Sequence, residues 1–66
     1  LASREAVIGL CQHWEQVMSD IGFFKQRSQT RLVRRMLRWL NKSQLEKEEI
    51  DILRGFLSTV EKKINH

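Results

Sequence analysis

Apolar side chains recur at intervals of three and four along nearly the whole chain, and no proline interrupts them. A half-buried strand needs alternation with period two, and no run shows it. The expected fold class is therefore all-α. Sixty-six residues bound the chain to one domain. Three helical stretches at about 3–21, 30–40 and 44–64 account for most of it. The reading is a small three-helix domain with a basic amphipathic second helix, its helices joined by short links and packed antiparallel or obliquely. No internal repeat or low-complexity segment is present.

In the first helix Val7, Leu10, Cys11, Trp14, Val17, Met18 and Ile21 make one stripe. Ser3 is placed to cap its N-terminus. Gly22 follows Ile21, where a helix ends in a left-handed residue. At least one of Phe23 and Phe24 is expected to fold back onto the helix end. Gly9, and later Gly55, read as points of close helix approach. Lys25 to Gln29 forms a polar link, and Ser28 or Thr30 is available to cap the second helix. Asn41 suits a left-handed C-terminal position. Ser43-Gln44-Leu45-Glu46 fits a capping box that opens the third helix. Glu46, Glu48, Glu49 and Asp51 near its start, and Lys62 and Lys63 near its end, match the helix dipole. Leu45, Ile50, Ile52, Leu53, Phe56, Leu57, Val60 and Ile64 form its apolar arc. Trp14, Trp39 and Phe56 are expected in the core, although Phe23, Phe24 or Trp39 at a rim would also suit stacking on an unpaired base.

Charge is distributed unevenly. The stretch KQRSQTRLVRRMLRWLNK, residues 25–42, holds seven of the twelve Lys and Arg and no Asp or Glu, so it carries +7. The rest has five positive and eight negative residues, or −3. On a helical wheel Leu32, Val33, Met36, Leu37, Trp39 and Leu40 fall on one side, and Arg31, Arg34, Arg35, Arg38 and Lys42 on the other. Arg31–Arg35, Arg34–Arg38 and Arg38–Lys42 are like-charge pairs at i,i+4, each costing a few tenths of a kcal/mol in an isolated helix, roughly. Helix faces that are merely solvated usually mix signs. Neutralisation by acidic residues of the third helix is the intramolecular alternative to an anionic partner. Arginine predominates over lysine, and guanidinium forms forked bonds to phosphate.

Other chemistry is poorly represented. Cys11 and His13 are two apart on a helix and face different ways, which weakens them as a nucleophile–base pair or as metal ligands. Cys11 reads as a small core residue, His13 as exposed or half-buried, and His66 as a chain end. The lone cysteine permits no internal disulfide, and a reducing cytoplasm fits that. The three glycines are too far apart for a phosphate loop, and the carboxylates of the third helix are explained by capping. No catalytic, metal or cofactor-binding residue is assigned. No apolar run of about twenty residues is present, so no membrane span is expected, and residues 1–10 do not resemble a signal peptide. A start at Leu1 fits a domain excised from a longer protein.

Three segments in order carry a family resemblance: Ile21-Gly22-Phe23, then Arg34-Arg35-Met36-Leu37-Arg38-Trp39-Leu40, then Glu49-Ile50-Asp51-Ile52-Leu53-Arg54-Gly55-Phe56-Leu57. Together, over about Trp14 to Glu61, they resemble the C-terminal helical domain of TrmJ-type RNA methyltransferases, of the SpoU/TrmH group in the SPOUT superfamily. Ile52-Leu53-Arg54-Gly55 is the most specific part. The resemblance implies a cytoplasmic parent protein with an N-terminal knotted domain, usually dimeric. That parent would use S-adenosylmethionine to methylate a ribose 2′-hydroxyl in a tRNA anticodon loop. The knotted domain and its motifs are absent from these residues, so no catalytic residue carries over.

The resulting expectation is an accessory domain that holds tRNA through phosphate contacts from Arg31, Arg34, Arg35, Arg38 and Lys42, with Lys25 and Arg27 on the adjoining link. Such contacts position RNA without reading its sequence. Its partners would be tRNA, the methyltransferase domain of its own chain, and in one variant a second copy of itself. The alternative is a helical protein-interaction or dimerisation module without RNA binding. A DNA-binding helix-turn-helix fits less well, because the link before the basic helix is long and base-reading polar residues are missing.

Overall fold

The computed structural model describes residues 1–24 and 29–64. Among them three helices form, α1 (Arg4–Asp20), α2 (Gln29–Ser43) and α3 (Lys47–Ile64). Helix α1 packs against both of the others, while no Cα of α2 comes within 8 Å of one in α3. The molecule is consequently a flattened plate, 32 × 27 × 14 Å, with α1 as its spine.

The α1 termini form as the sequence indicates. The Ser3 hydroxyl accepts the Ala6 N–H at 3.1 Å. At the other end Gly22 takes φ +77°. The Gly22 N–H donates to the Ser19 carbonyl at 3.1 Å, and Phe23 N–H to that of Met18 at 2.9 Å. This pair of bonds is a Schellman motif. It turns Phe24 back against the core, while Phe23 stays outside and meets it edge-to-face at 6.1 Å.

Helices α2 and α3 begin and end differently from the sequence expectation. Helix α2 continues through Asn41 to Ser43, and the left-handed residue is Gln44, at φ 52°. The Ser43 hydroxyl donates to the Trp39 carbonyl at 2.8 Å, which occupies it in the last turn of α2. Ser43 therefore does not cap α3. That role moves three residues on: the Ile50 N–H bonds to the Glu46 carbonyl, and the Glu49 carboxylate accepts the Glu46 N–H at 2.8 Å. Glu49 thus does what Glu46 was expected to do, and α3 starts at Lys47 instead of 44. Thr30 lies inside α2 and does not cap it. Ser28 and the link at 25–28 lie outside the described residues.

The core is Val7, Leu10, Cys11, Val17 and Met18 of α1, Met36 and Leu40 of α2, and Ile50 and Leu57 of α3. Helix α1 buries a broad arc because it has two neighbours. The flanking helices bury one narrow stripe each. For that reason Trp39 (50% exposed) and Phe56 (64%) stand outside the core they were expected to join. Ile21 and Ile52 are exposed too, and Trp14 is half-buried. Gly9 faces the end of the Arg54 side chain, where a Cβ would come within 2.9 Å of Nη1. Gly55 has open space around its missing Cβ, so no helix crosses there.

Among the described residues a polar contact joins α1 to α3. His13 Nε2 lies 2.7 Å from Glu61 Oε1, with 13% of the imidazole and 31% of the carboxylate side chain exposed. The carboxylate accepts, so Nε2 carries the hydrogen. His13 Nδ1 is buried without a partner among the described residues. The N-terminal segment is held by a backbone bond from the Ala2 N–H to the Leu45 carbonyl, at 2.8 Å.

Candidate nucleic-acid interface

The basic helix lies along one edge of the plate. Met36 and Leu40 anchor it in the core, with Leu32, Val33 and Leu37 half-buried beside them. Anchoring on that side turns the opposite side outward. Arg31, Arg34, Arg35, Arg38 and Lys42 are all exposed. Two shallow depressions run along this surface. One, of about 540 Å³, is lined by Thr30, Arg31, Arg34, Arg35 and Arg38. The other, of about 440 Å³, is lined by Arg34, Leu37, Arg38, Asn41 and Lys42. Arg34 and Arg38 border both, so the cations form one continuous strip.

Among the described residues no carboxylate lies within ion-pair distance of Arg34, Arg35, Arg38 or Lys42. The acidic start of α3 is on a helix whose Cα atoms all lie more than 8 Å from those of α2. The carboxylate beside α2 is that of Glu15, which accepts the Gln29 side-chain N–H at 2.7 Å. Lys25 and Arg27, the other two cations assigned to this surface, lie outside the described residues.

Trp39 is the residue whose place the sequence misjudged most usefully. Half exposed, it stands on α2 between the buried stripe and the cationic strip, one turn from Arg35 and Lys42. The wheel angle of its Cβ already lay nearest the strip among the six apolar positions, which is the signal that marks it as a rim residue.

A second feature escaped sequence reading, because it depends on α2 and α3 standing apart. An apolar groove of about 310 Å³ opens between them, lined by Leu10 and Trp14 of α1, Leu40 and Ser43 of α2, Leu45, and Leu53, Phe56 and Leu57 of α3. Cys11 is buried, and that burial, with the nearby Glu15 charge, pushes its thiol pKa up. Among the described residues no group of three or more His, Cys, Asp or Glu is placed to hold a metal ion. No helix among them is long and apolar enough to cross a membrane.

Comparison with known proteins adds a second line to this geometry. Residues 5–66 match the family described as "tRNA methyltransferase TrmJ, C-terminal domain". The chain is also similar to curated proteins named tRNA (cytidine/uridine-2'-O-)-methyltransferase TrmJ. With that of Yersinia pestis (strain Pestoides F) it is 36% identical over 52 residues, covering 79% of this chain and 20% of that protein. With that of Sodalis glossinidius it is 36% identical over 50 residues, 76% and 20% of the two. With that of Photorhabdus laumondii it is 38% identical over 50 residues, 76% and 21%. The chain therefore spans about a fifth of the length of these relatives. No solved structure matches it.

Proposed function

The chain belongs to the family of C-terminal domains of the tRNA methyltransferase TrmJ, and on that premise we propose that it is a single accessory domain that holds tRNA for a catalytic domain elsewhere in its parent protein. The parent is a cytoplasmic, S-adenosylmethionine-dependent 2′-O-ribose methyltransferase of the SpoU type. The catalytic step and the cofactor belong to that other domain. The part played by these residues is electrostatic: Arg31, Arg34, Arg35, Arg38 and Lys42, with Lys25 and Arg27 before them, contact phosphates along a folded RNA. Guanidinium pairs well with phosphate oxygens because its N–H groups present two parallel donors. Backbone contacts of this kind set the register of the RNA and leave the choice of nucleotide to the catalytic domain.

The observation that carries this reading is the exposed strip on α2, whose helix contains no Asp or Glu. The test is tRNA binding followed by fluorescence anisotropy across a salt series, with duplex DNA as comparator. The expected result is a preference for tRNA and a log–log salt slope of about −3 to −5 for five or so phosphates. Arg34→Glu/Arg35→Glu/Arg38→Glu is expected to reduce affinity by at least about 100-fold at low salt while the helices stay formed. Unchanged tRNA affinity in that folded variant refutes the proposal.

A further inference from the structure

Three aromatic side chains stand exposed among the described residues: Phe23, Trp39 and Phe56. They differ in what surrounds them. Phe23 already meets Phe24 edge-to-face. Phe56 sits on α3, where the positions one turn away are Ile52, Leu53, Thr59 and Val60, none of them charged. Trp39 has Arg35 one turn before it and Lys42 one turn after it, both exposed. Its indole is half exposed and has no ring or hydrogen-bond partner among the described residues.

The backbone beneath that indole is fixed. Leu40, next in the chain, is buried, and the Trp39 carbonyl accepts the Ser43 hydroxyl at 2.8 Å. A side chain carried on a rigid support loses little freedom when something settles on it. On a helix, residues three and four apart have Cβ atoms about 5–6 Å from each other. A phosphate held by Arg35 or Lys42 therefore brings its own nucleotide against the indole. Within a duplex the base faces are already stacked on one another. An unpaired base exposes its face, and an aromatic ring flanked by cations is suited to receive it.

We propose that Trp39 is a stacking platform for an unpaired base of the RNA, with Arg35 and Lys42 holding the phosphates on either side of that nucleotide. The inference rests on the phosphate-binding reading of α2 and adds a preference to it. Cations alone hold any backbone, whereas the indole makes the strip favour a strand with a base outside the helix. The preference is for an unpaired base and not for a sequence, since every base has a π-face.

The test uses an RNA strand without internal pairing and, as comparator, the duplex it forms with its complement, each titrated into the chain at low salt. In Trp14→Phe, where Trp39 is the remaining tryptophan, the single strand is expected to quench the emission and the duplex to leave it unchanged. Trp39→Ala should weaken single-strand binding by about tenfold and leave duplex binding as it was. It should also leave the salt slope as it was, because no charge is removed. Trp39→Phe should recover most of the loss. Circular dichroism of each variant checks that the helices are formed. A folded Trp39→Ala that binds the single strand as the native chain does overturns the inference, and so does a loss shared equally by strand and duplex. In either case the phosphate reading still stands if Arg34→Glu/Arg35→Glu/Arg38→Glu releases the RNA. A native chain that binds neither strand nor duplex overturns both readings.

Discussion

Cys11 is the side chain whose chemistry the fold controls most directly. Burial first, and the Glu15 charge second, raise its thiol pKa above the ordinary 9.0. A thiol is an acid, so a raised value means that the folded state favours the neutral form. Its contribution to stability is whole below the ordinary value and falls away as pH rises through it and on to the folded value. Two outcomes follow. Reaction with a disulfide reagent at pH 8 should be slower by about 100-fold or more in the folded chain than in urea, since modification then requires opening. Unfolding free energy should drop above about pH 9 in the native sequence, and drop less in Cys11→Ala. The residue's burial was legible from its place in the apolar stripe of α1. The contact made by its neighbour His13 was not, because Glu61 is 48 residues away and only the packing of α1 on α3 brings the two together.

Among the elements, the two glycines near helix ends and interiors separate conformational need from chance. Gly22 holds φ +77° with open space around it, so an added Cβ meets strain in the backbone and no neighbour. Gly22→Ala is expected to cost about 1 kcal/mol. Gly55 is in the interior of α3, also in open space, and Gly55→Ala should stabilise by up to about 1 kcal/mol. Urea denaturation of the two variants checks both signs. Element identity was readable from periodicity, and the α1 termini from Ser3 and Gly22. The α2–α3 turn was misread by three residues because Ser43-x-x-Glu46 and Glu46-x-x-Glu49 are overlapping patterns of the same form. Only the capture of the Ser43 hydroxyl by the Trp39 carbonyl decides between them. The cationic strip was legible in full for α2, since a one-sided wheel survives a shift of either helix end.

At the scale of the whole molecule, α1 is the element that both others require. Leu10 is 1% exposed and sits where the three helices converge. Leu10→Ala should cost about 2–5 kcal/mol, a large part of the roughly 3–10 kcal/mol that a domain of 66 residues has at about 0.05–0.15 kcal/mol per residue. Far-UV circular dichroism against temperature should show α2 and α3 lost together in one lowered transition. A variant that keeps α3 folded after the α1–α2 contact is gone would contradict the shared-spine description. The arrangement of the layer is what periodicity could not convey. Apolar arcs of the same width suit a closed triangle or an open plate, and the exposed Trp39, Ile52 and Phe56 are the difference between them.

The separation of α2 from α3 has a thermodynamic consequence. Strain in either flanking helix reaches the other through the α1 packing they share and through the short link at residues 44–46. Coupling between them is therefore expected to be weaker than in a closed triangle of helices, where α2 and α3 would also share a helix–helix interface.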